Sequence, residues 1–367
     1  MVARRALLLS AGALLCRPVS AQAAELRIGA SAALSGPAAQ LGQRFHAGAR
    51  ALFEQLNQQG GLHGARLVLD LRDDGYEPAR AEANSRALME DERVLALFGY
   101  VGTPTSRAAM PYARRGRMAF VGPFTGAGFL YDPALAHVFM VRAGYESEGR
   151  VLAAAMRREG VQRVNVLYQA DLFGRSGLEA LRQAAQQLEL PLGMTATVRR
   201  NSRDIDKALQ LLVHDSPAPA IFLVSTYDTC ASFVKAARQA GYKGRFYTLS
   251  FAGLEPLRAA LGRESRGVAI TQVVPDPEDR SLPVVAAYQR AMSEAGETQL
   301  DSISLEGYLA ARVLVEGLRR ARPPLSRTGL LHSLSGLGEL DLGGFSLRYL
   351  PDGRRGASHV SLRSLGR

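Results

Sequence analysis

Short apolar runs alternate with amphipathic stretches along most of the chain. Leu26 to Ala33 reads as a strand, and Leu34-Ser35-Gly36-Pro37 as the turn after it. Phe45, Ala49, Leu52, Phe53 and Leu56 then recur at helical spacing until Gly60-Gly61 stops them. Leu67 to Leu71 is the next strand, followed by Asp73-Asp74-Gly75, a helix over Pro78 to Asp91 and a strand over Val94 to Tyr100. The rhythm restarts after Phe139-Met140-Val141-Arg142. Helices are expected over Gly149 to Glu159, Arg175 to Leu188, Asp204 to Val213 and Thr229 to Ala240. They alternate with strands at Val164 to Tyr168, Thr195 to Val198, Ala220 to Val224 and Phe246 to Leu249. A last strand, Gly267 to Val274, precedes helices over Leu282 to Ala295 and Ser302 to Arg320. The tail, Gly344 to Leu365, carries short strands around Pro351-Asp352-Gly353. Such alternation with short loops predicts an α/β fold with parallel sheets covered on both faces, in two units.

The stretch Leu97 to Gly128 stands out. Two loops leave neighbouring strands at their carboxyl ends, Gly102-Thr103-Pro104-Thr105-Ser106 and Gly122-Pro123-Phe124-Thr125-Gly126. Ligands of open α/β sheets bind at that edge, and a helix start there offers N–H groups to a carboxylate or other anion.

Composition narrows the class. At 47% hydrophobic the chain can build full cores. Residues 1–23 read as a secretion signal: Arg4-Arg5, an apolar run from Ala6 to Leu15, and the small-x-small site Ala21-Gln22-Ala23. The arginine pair leaves general and twin-arginine export both open, and Leu15 before Cys16 argues against a lipoprotein. The formal charge of +11 loses three with Arg4, Arg5 and Arg17, leaving +8. The arginines are dispersed, without a basic run interleaved with aromatics, which argues against nucleic acid. One cysteine, Cys230, remains after the signal, so no internal disulfide forms.

Enzyme signatures are missing. There is no GxxxxGK[ST] loop, no HExxH and no G-x-G-x-x-G after a strand. The histidines are scattered, so no metal or cofactor is expected. Ser232-Phe233-Val234-Lys235 fits S-x-x-K but has no companion motif and sits in an amphipathic helix.

Several spaced motifs carry a resemblance. Leu34-Ser35-Gly36-Pro37 with Gly42, Gly48-Ala49, and Asn57-x-x-Gly60-Gly61-Leu62-x-Gly64 come first. Asp73-Asp74, Gly99 to Ser106, Pro123, Tyr168 to Gly174, Ala240-Gly241, Glu306-Gly307-Tyr308-x-Ala310-Ala311, Gly343-Gly344-Phe345 and Arg355-Gly356-Ala357-Ser358 follow in order. This sequence resembles the periplasmic branched-chain amino-acid (Leu/Ile/Val) binding proteins, receptors of ABC importers, over nearly its whole length.

The resemblance implies a two-lobed type I periplasmic binding protein, with three hinge crossings near Arg142, Val268 to Val274 and Leu340 to Gly344. Residues 24–142 with 273–341 would form lobe 1, and 143–272 with 342–367 lobe 2. It implies a monomer that binds a small carboxylate-bearing ligand, amino-acid-like or an organic acid, in the periplasm and delivers it to a membrane permease without chemistry. A ligand-sensing regulatory receptor on the same fold is the alternative. By the same resemblance Thr103, Phe124, Thr125 and Gly126 would hold the carboxylate, and Leu41, Tyr145, Phe173, Thr226 and Tyr227 would line the pocket. Ser250 falls where the amino-acid receptors carry the glutamate that pairs with the ligand ammonium, one residue of register separating it from Phe251. A serine offers a buried ammonium no compensating charge, and the acids that could replace the glutamate are Glu146 and Asp228; an ordinary α-amino acid is not the expected ligand.

Overall fold

The computed structural model describes residues 24–350 and 355–366; the expected signal segment and the turn at Pro351-Asp352-Gly353 lie outside them. The strands β1 (Glu25–Ala32), β2 (Arg66–Asp73), β3 (Val94–Phe98), β4 (Ala119–Val121) and β5 (Val138–Phe139) form one parallel sheet, in the order β2-β1-β3-β4-β5. A second sheet holds β6 (Val164–Gln169), β7 (Leu192–Val198), β8 (Ala220–Val224), β9 (Arg245–Thr248), β10 (Val268–Gln272) and β14 (Ser361–Ser364). Its order is β14-β10-β9-β8-β6-β7, and only β14 runs antiparallel. Central strands β3 and β8 bury every residue, as strands covered on both faces must. Each sheet is the floor of one lobe. Its strand order reverses at β1/β3 in the first lobe and at β6/β8 in the second, and the crevice of such a sheet lies beyond the strand ends at that point.

The helices of the first lobe are α1 (Ala39–Gln58), α2 (Pro78–Glu90) and α3 (Thr103–Arg115). Those of the second are α4 (Tyr145–Arg158), α5 (Leu172–Gln187), α6 (Asp206–Leu209), α7 (Tyr227–Gln239) and α8 (Leu254–Leu261). After β10 the chain returns to the first lobe. There α9 (Pro283–Glu294), α10 (Ser302–Arg320) and α11 (Arg327–Ser335) pack against α1 and the first sheet. The α1–α10 crossing is close because both helices carry glycine at the contact. A Cβ at Gly48 would lie 1.8 Å from the Ser304 carbonyl oxygen, and one at Gly307 1.8 Å from that of Phe45.

A small antiparallel sheet, β11 (Gly338–Asp341), β12 (Ser346–Tyr349) and β13 (Arg355–Gly356), covers the end of β5. The Tyr349 hydroxyl donates to Met140 O at 2.9 Å, and Ala357 N to Val141 O at 3.2 Å. From there the chain enters the second sheet as β14.

Some elements depart from the sequence reading. The helix expected over Asp204 to Val213 begins as α6 but unwinds into a π-turn over Gln210–Asp215, where the buried Asn165 side chain takes the carbonyls of Leu212 and Ser216. The helix expected from Gly149 starts four residues earlier, at Tyr145, and that expected from Thr229 starts at Tyr227. Helices α8 and α11 carry no sequence expectation: one is short, and the other buries only Leu330 and Leu334.

Candidate functional site

The loops after β3 and β4 run side by side. Phe124 N donates to Tyr100 O at 2.8 Å and Gly102 N to Phe124 O at 3.1 Å, so the two loops hold a common register. This sets Thr103, the first residue of α3, against Thr125: their hydroxyls are 2.7 Å apart. The Thr125 hydroxyl also meets the Tyr145 phenol at 3.1 Å and accepts from Ala127 N at 3.3 Å. All three hydroxyls are buried. Burial pushes the Tyr145 phenol up to about 12, against the pull of Arg142, so it stays a proton donor at neutral pH. The trio sits at the positive end of α3, a place suited to a carboxylate. Gly126 presses on the same phenol: its carbonyl accepts from Tyr145 N at 2.7 Å, and a Cβ there would lie 2.7 Å from Tyr145 Cδ1.

Aromatic rings face this edge from both lobes. Phe251, just after β9, is the hub. Its ring centroid lies 4.5 Å from Phe173, 5.5 Å from Phe124 and 5.9 Å from Tyr76. Phe173 packs in turn on Tyr145 at 5.7 Å. Tyr76 follows β2 and holds φ at +63°, a left-handed conformation that bulky side chains avoid. Asp74 accepts from its N–H at 2.8 Å, and Gln169 of the second lobe donates to its hydroxyl at 3.3 Å. The ring rests on the start of α3, where a Cβ at Gly102 would lie 2.1 Å from Tyr76 Cε2.

Beneath the rings lies a fully buried charged cluster. Arg142 stands 3.6 Å from Glu148 on α4 and 3.6 Å from Glu306 on α10, with its guanidinium 4.8 Å from the Phe124 ring centre. It also donates to the Ser250 hydroxyl. Glu148 accepts from Ser250 N at 2.8 Å, from the Ser250 hydroxyl at 3.0 Å, and from the Thr271 hydroxyl. Burial pushes the Glu306 carboxyl up to about 7 against the pull of Arg142, and Glu148 adds to the rise. So a carboxylate does lie near Ser250, but its oxygens and its charge are already matched within the protein. Of the two acids that could replace the missing glutamate, Asp228 is paired with Arg203, and Glu146 lies exposed in the first turn of α4.

The remaining expected residues spread along the contact between the lobes. Leu41 on α1 is buried, and a Cβ at Gly253 would meet its Cδ2 at 3.0 Å. Tyr227 is half-buried beside the Gln40 backbone of the opposite lobe. The Thr226 hydroxyl is fully buried and has no hydrogen-bond partner among the described residues. Further contacts cross the cleft. Arg200 reaches Glu77 at 2.7 Å, Asn201 donates to Gly75 O at 3.0 Å, and Ser302 N and its hydroxyl donate to Glu255 at 3.0 and 2.8 Å.

Thus Thr103, Phe124, Thr125, Gly126, Tyr145 and Phe173 come together, whereas Ser250 turns to the charged cluster beneath. Sequence reasoning missed Tyr76, Phe251, Gln169 and Arg200 as parts of this region. Tyr76 had a signal, the Asp73-Asp74-Gly75 turn at a strand end. Phe251 adjoins Ser250, and only the turn of the backbone there decides which of the two faces the cleft.

Comparison with known proteins fits this geometry. The profile of the family described as periplasmic binding protein matches residues 25–361. The chain belongs to that family. This periplasmic binding protein is 22% identical over 333 residues to the Leu/Ile/Val-binding protein homolog 7 of Brucella melitensis, covering 86% of this chain and 82% of that protein. It superposes with a TM-score of 0.86 on a possible leucine/isoleucine/valine-binding protein from Rhodopirellula baltica, at 33% identity over 93% of this chain and 94% of that one. A substrate-binding periplasmic protein from Ralstonia solanacearum gives 0.86 at 31% identity, over 92% and 96% of the two chains. Members of the family are binding proteins, not enzymes. Among the described residues no helix of this binding protein is long and apolar enough to cross a membrane.

Proposed function

We propose that the protein is the exported, monomeric receptor of an ABC importer and binds a small carboxylate-bearing ligand between its lobes. The observation that carries this reading is the buried trio of Thr103, Thr125 and Tyr145 hydroxyls at the start of α3. The carboxylate would take these donors together with N–H groups of the first turn of α3. Closing the lobes, with the sheet of β11, β12 and β13 carried on the first, would bring Phe173 of the second lobe onto the rest of the ligand. The closed form would then dock on a membrane permease. Hinge closure around a ligand is the motion this kind of fold supports.

The ligand is not an ordinary α-amino acid. An ammonium in this cleft would need a buried, unengaged carboxylate; Glu148 is matched by Arg142, Ser250 and Thr271, Asp228 is paired with Arg203, and Glu146 is exposed. Calorimetric titration with leucine and valine tests this: tight binding of either would overturn it. Thr103→Ala tests the carboxylate site and is expected to weaken ligand binding at least about tenfold, as loss of a hydrogen bond to a charged group does. Unchanged affinity would remove the site from this place.

A further inference from the structure

The cleft has a chemistry that a carboxylate site alone does not require. Ring faces from both lobes meet there, Tyr76 and Phe124 from the first and Phe173 and Phe251 from the second. We propose, building on the carboxylate reading above, that the ligand class is a planar aromatic carboxylate held between these rings. Three separate features support this.

The first is how the rings are divided. Across the cleft, Phe251 lies 5.5 Å from Phe124 and 5.9 Å from Tyr76, while its partner within its own lobe, Phe173, is 4.5 Å away. Opening the hinge separates the cross-lobe pairs and leaves the Phe173–Phe251 pair together. The open cleft thus presents two aromatic walls, the Phe251 ring tilted 40° to Phe124 and 41° to Tyr76 across it. A flat ring is about 3.5 Å thick and fits between such walls in tilted or edge-to-face contact. A branched aliphatic group is thicker and holds the lobes further apart.

The second is Tyr76. A backbone conformation that costs about 1–3 kcal/mol persists only where surrounding groups hold it, and such strain gathers at ligand clamps. Asp74, Gln169 and Arg200, the last with its guanidinium 5.9 Å from the ring centre, hold Tyr76 over the start of α3. Asp74 belongs to the ring's own lobe and Gln169 and Arg200 to the other, so closure fixes one ring face beside the carboxylate donors.

The third is the set of polar groups. Ser106, one turn along α3 from Thr103, is fully buried, and its hydroxyl has no hydrogen-bond partner among the described residues. Such groups call for an explanation in a native structure, and acceptors on a ligand would supply it. Donors for an anion stand at one side and rings elsewhere. That pattern matches an acid whose remainder is a flat ring, with a ring hydroxyl accommodated.

The experiment is calorimetric titration of the mature chain with three aromatic acids (benzoate, 4-hydroxybenzoate, phenylacetate) and three aliphatic ones (cyclohexanecarboxylate, hexanoate, leucine). The aromatic acids are expected to bind about tenfold or more tighter than cyclohexanecarboxylate, which has nearly the same size and charge. Phe251→Leu and Tyr76→Leu, each checked for an unchanged fold by circular dichroism, are expected to lose most of that preference. Tyr76→Phe keeps the ring and should keep the preference. Aliphatic acids binding as tightly as the aromatic ones, with dependence on Thr103, would overturn this inference and leave the carboxylate site standing. Failure of all six acids to bind the folded protein would overturn both.

Discussion

Arg142 shows how one side chain governs a region. It is fully buried between Glu148 and Glu306, one on each side of the hinge. Arg142→Met would leave both carboxylates buried without a counter-charge, and unfolding free energy is expected to fall by about 3–5 kcal/mol, read from chemical denaturation. Glu306 has a separate signature. Burial raises its carboxyl to about 7, above its ordinary value near 4.5, so the folded state holds this proton more tightly than the unfolded one. The stabilisation from that proton is complete below the unfolded value and is lost as pH rises through about 7. The difference in melting temperature between the protein and Glu306→Gln should therefore move against the natural protein as pH goes from 4.5 to 7. A difference that stays flat over that range would show that Glu306 keeps its ordinary acidity. His46 works the other way. Burial lowers its imidazole to about 3, so its contribution is lost as pH falls below the ordinary value near 6.5, and comparing the two proteins cancels it.

At the scale of elements, the α1–α10 contact is the most constrained. Gly48 and Gly307 let backbone meet backbone, and the atoms a new Cβ would strike are carbonyl oxygens rather than yielding side-chain ends. Gly307→Ala is expected to cost more than the roughly 1–3 kcal/mol typical of overpacking, since neither helix can move without disturbing the first sheet. A urea midpoint unchanged from the natural protein would mean that the helices part more readily than this packing implies. The motifs Gly48-Ala49 and Glu306-Gly307-Tyr308 are thus two halves of one contact. Their distance along the chain hid that relation, because spacing reveals which residues share a helix face and not which helices touch.

At the scale of the whole molecule, closure is held by a few polar bridges in addition to the rings. Arg200 pairs with Glu77 across the cleft, and both are partly exposed. Such pairs contribute about 0.2–1 kcal/mol. Arg200→Ala should weaken ligand binding about two- to fivefold, mainly through faster release, because its bridge to Glu77 exists only in the closed form while its pair with Asp171 lies within one lobe. The effect should shrink in high salt, which already screens the pair. Stopped-flow release kinetics at two salt concentrations would check both, and an unchanged release rate would remove this bridge from closure.

Much of this protein was legible in its sequence. Apolar runs such as Val94-Leu95-Ala96-Leu97-Phe98, each followed by a helical pattern, determined parallel strands covered by helices. The period of apolar side chains is a local property of a half-buried chain. Gly102-Thr103 and Phe124-Thr125 at strand ends determined a candidate anion edge, because turn residues and hydroxyls at a helix start have local consequences. Only the tertiary structure decided that Ser250 turns inward to Glu148 and Arg142 while Phe251 faces the cleft. It also decided that Tyr76, 175 residues before Phe251, meets it there. Those outcomes depend on which backbone direction burial satisfies and on contacts between segments far apart in the chain. A ligand cleft between lobes consists of such contacts, so its chemistry emerges only when both sheets are in place.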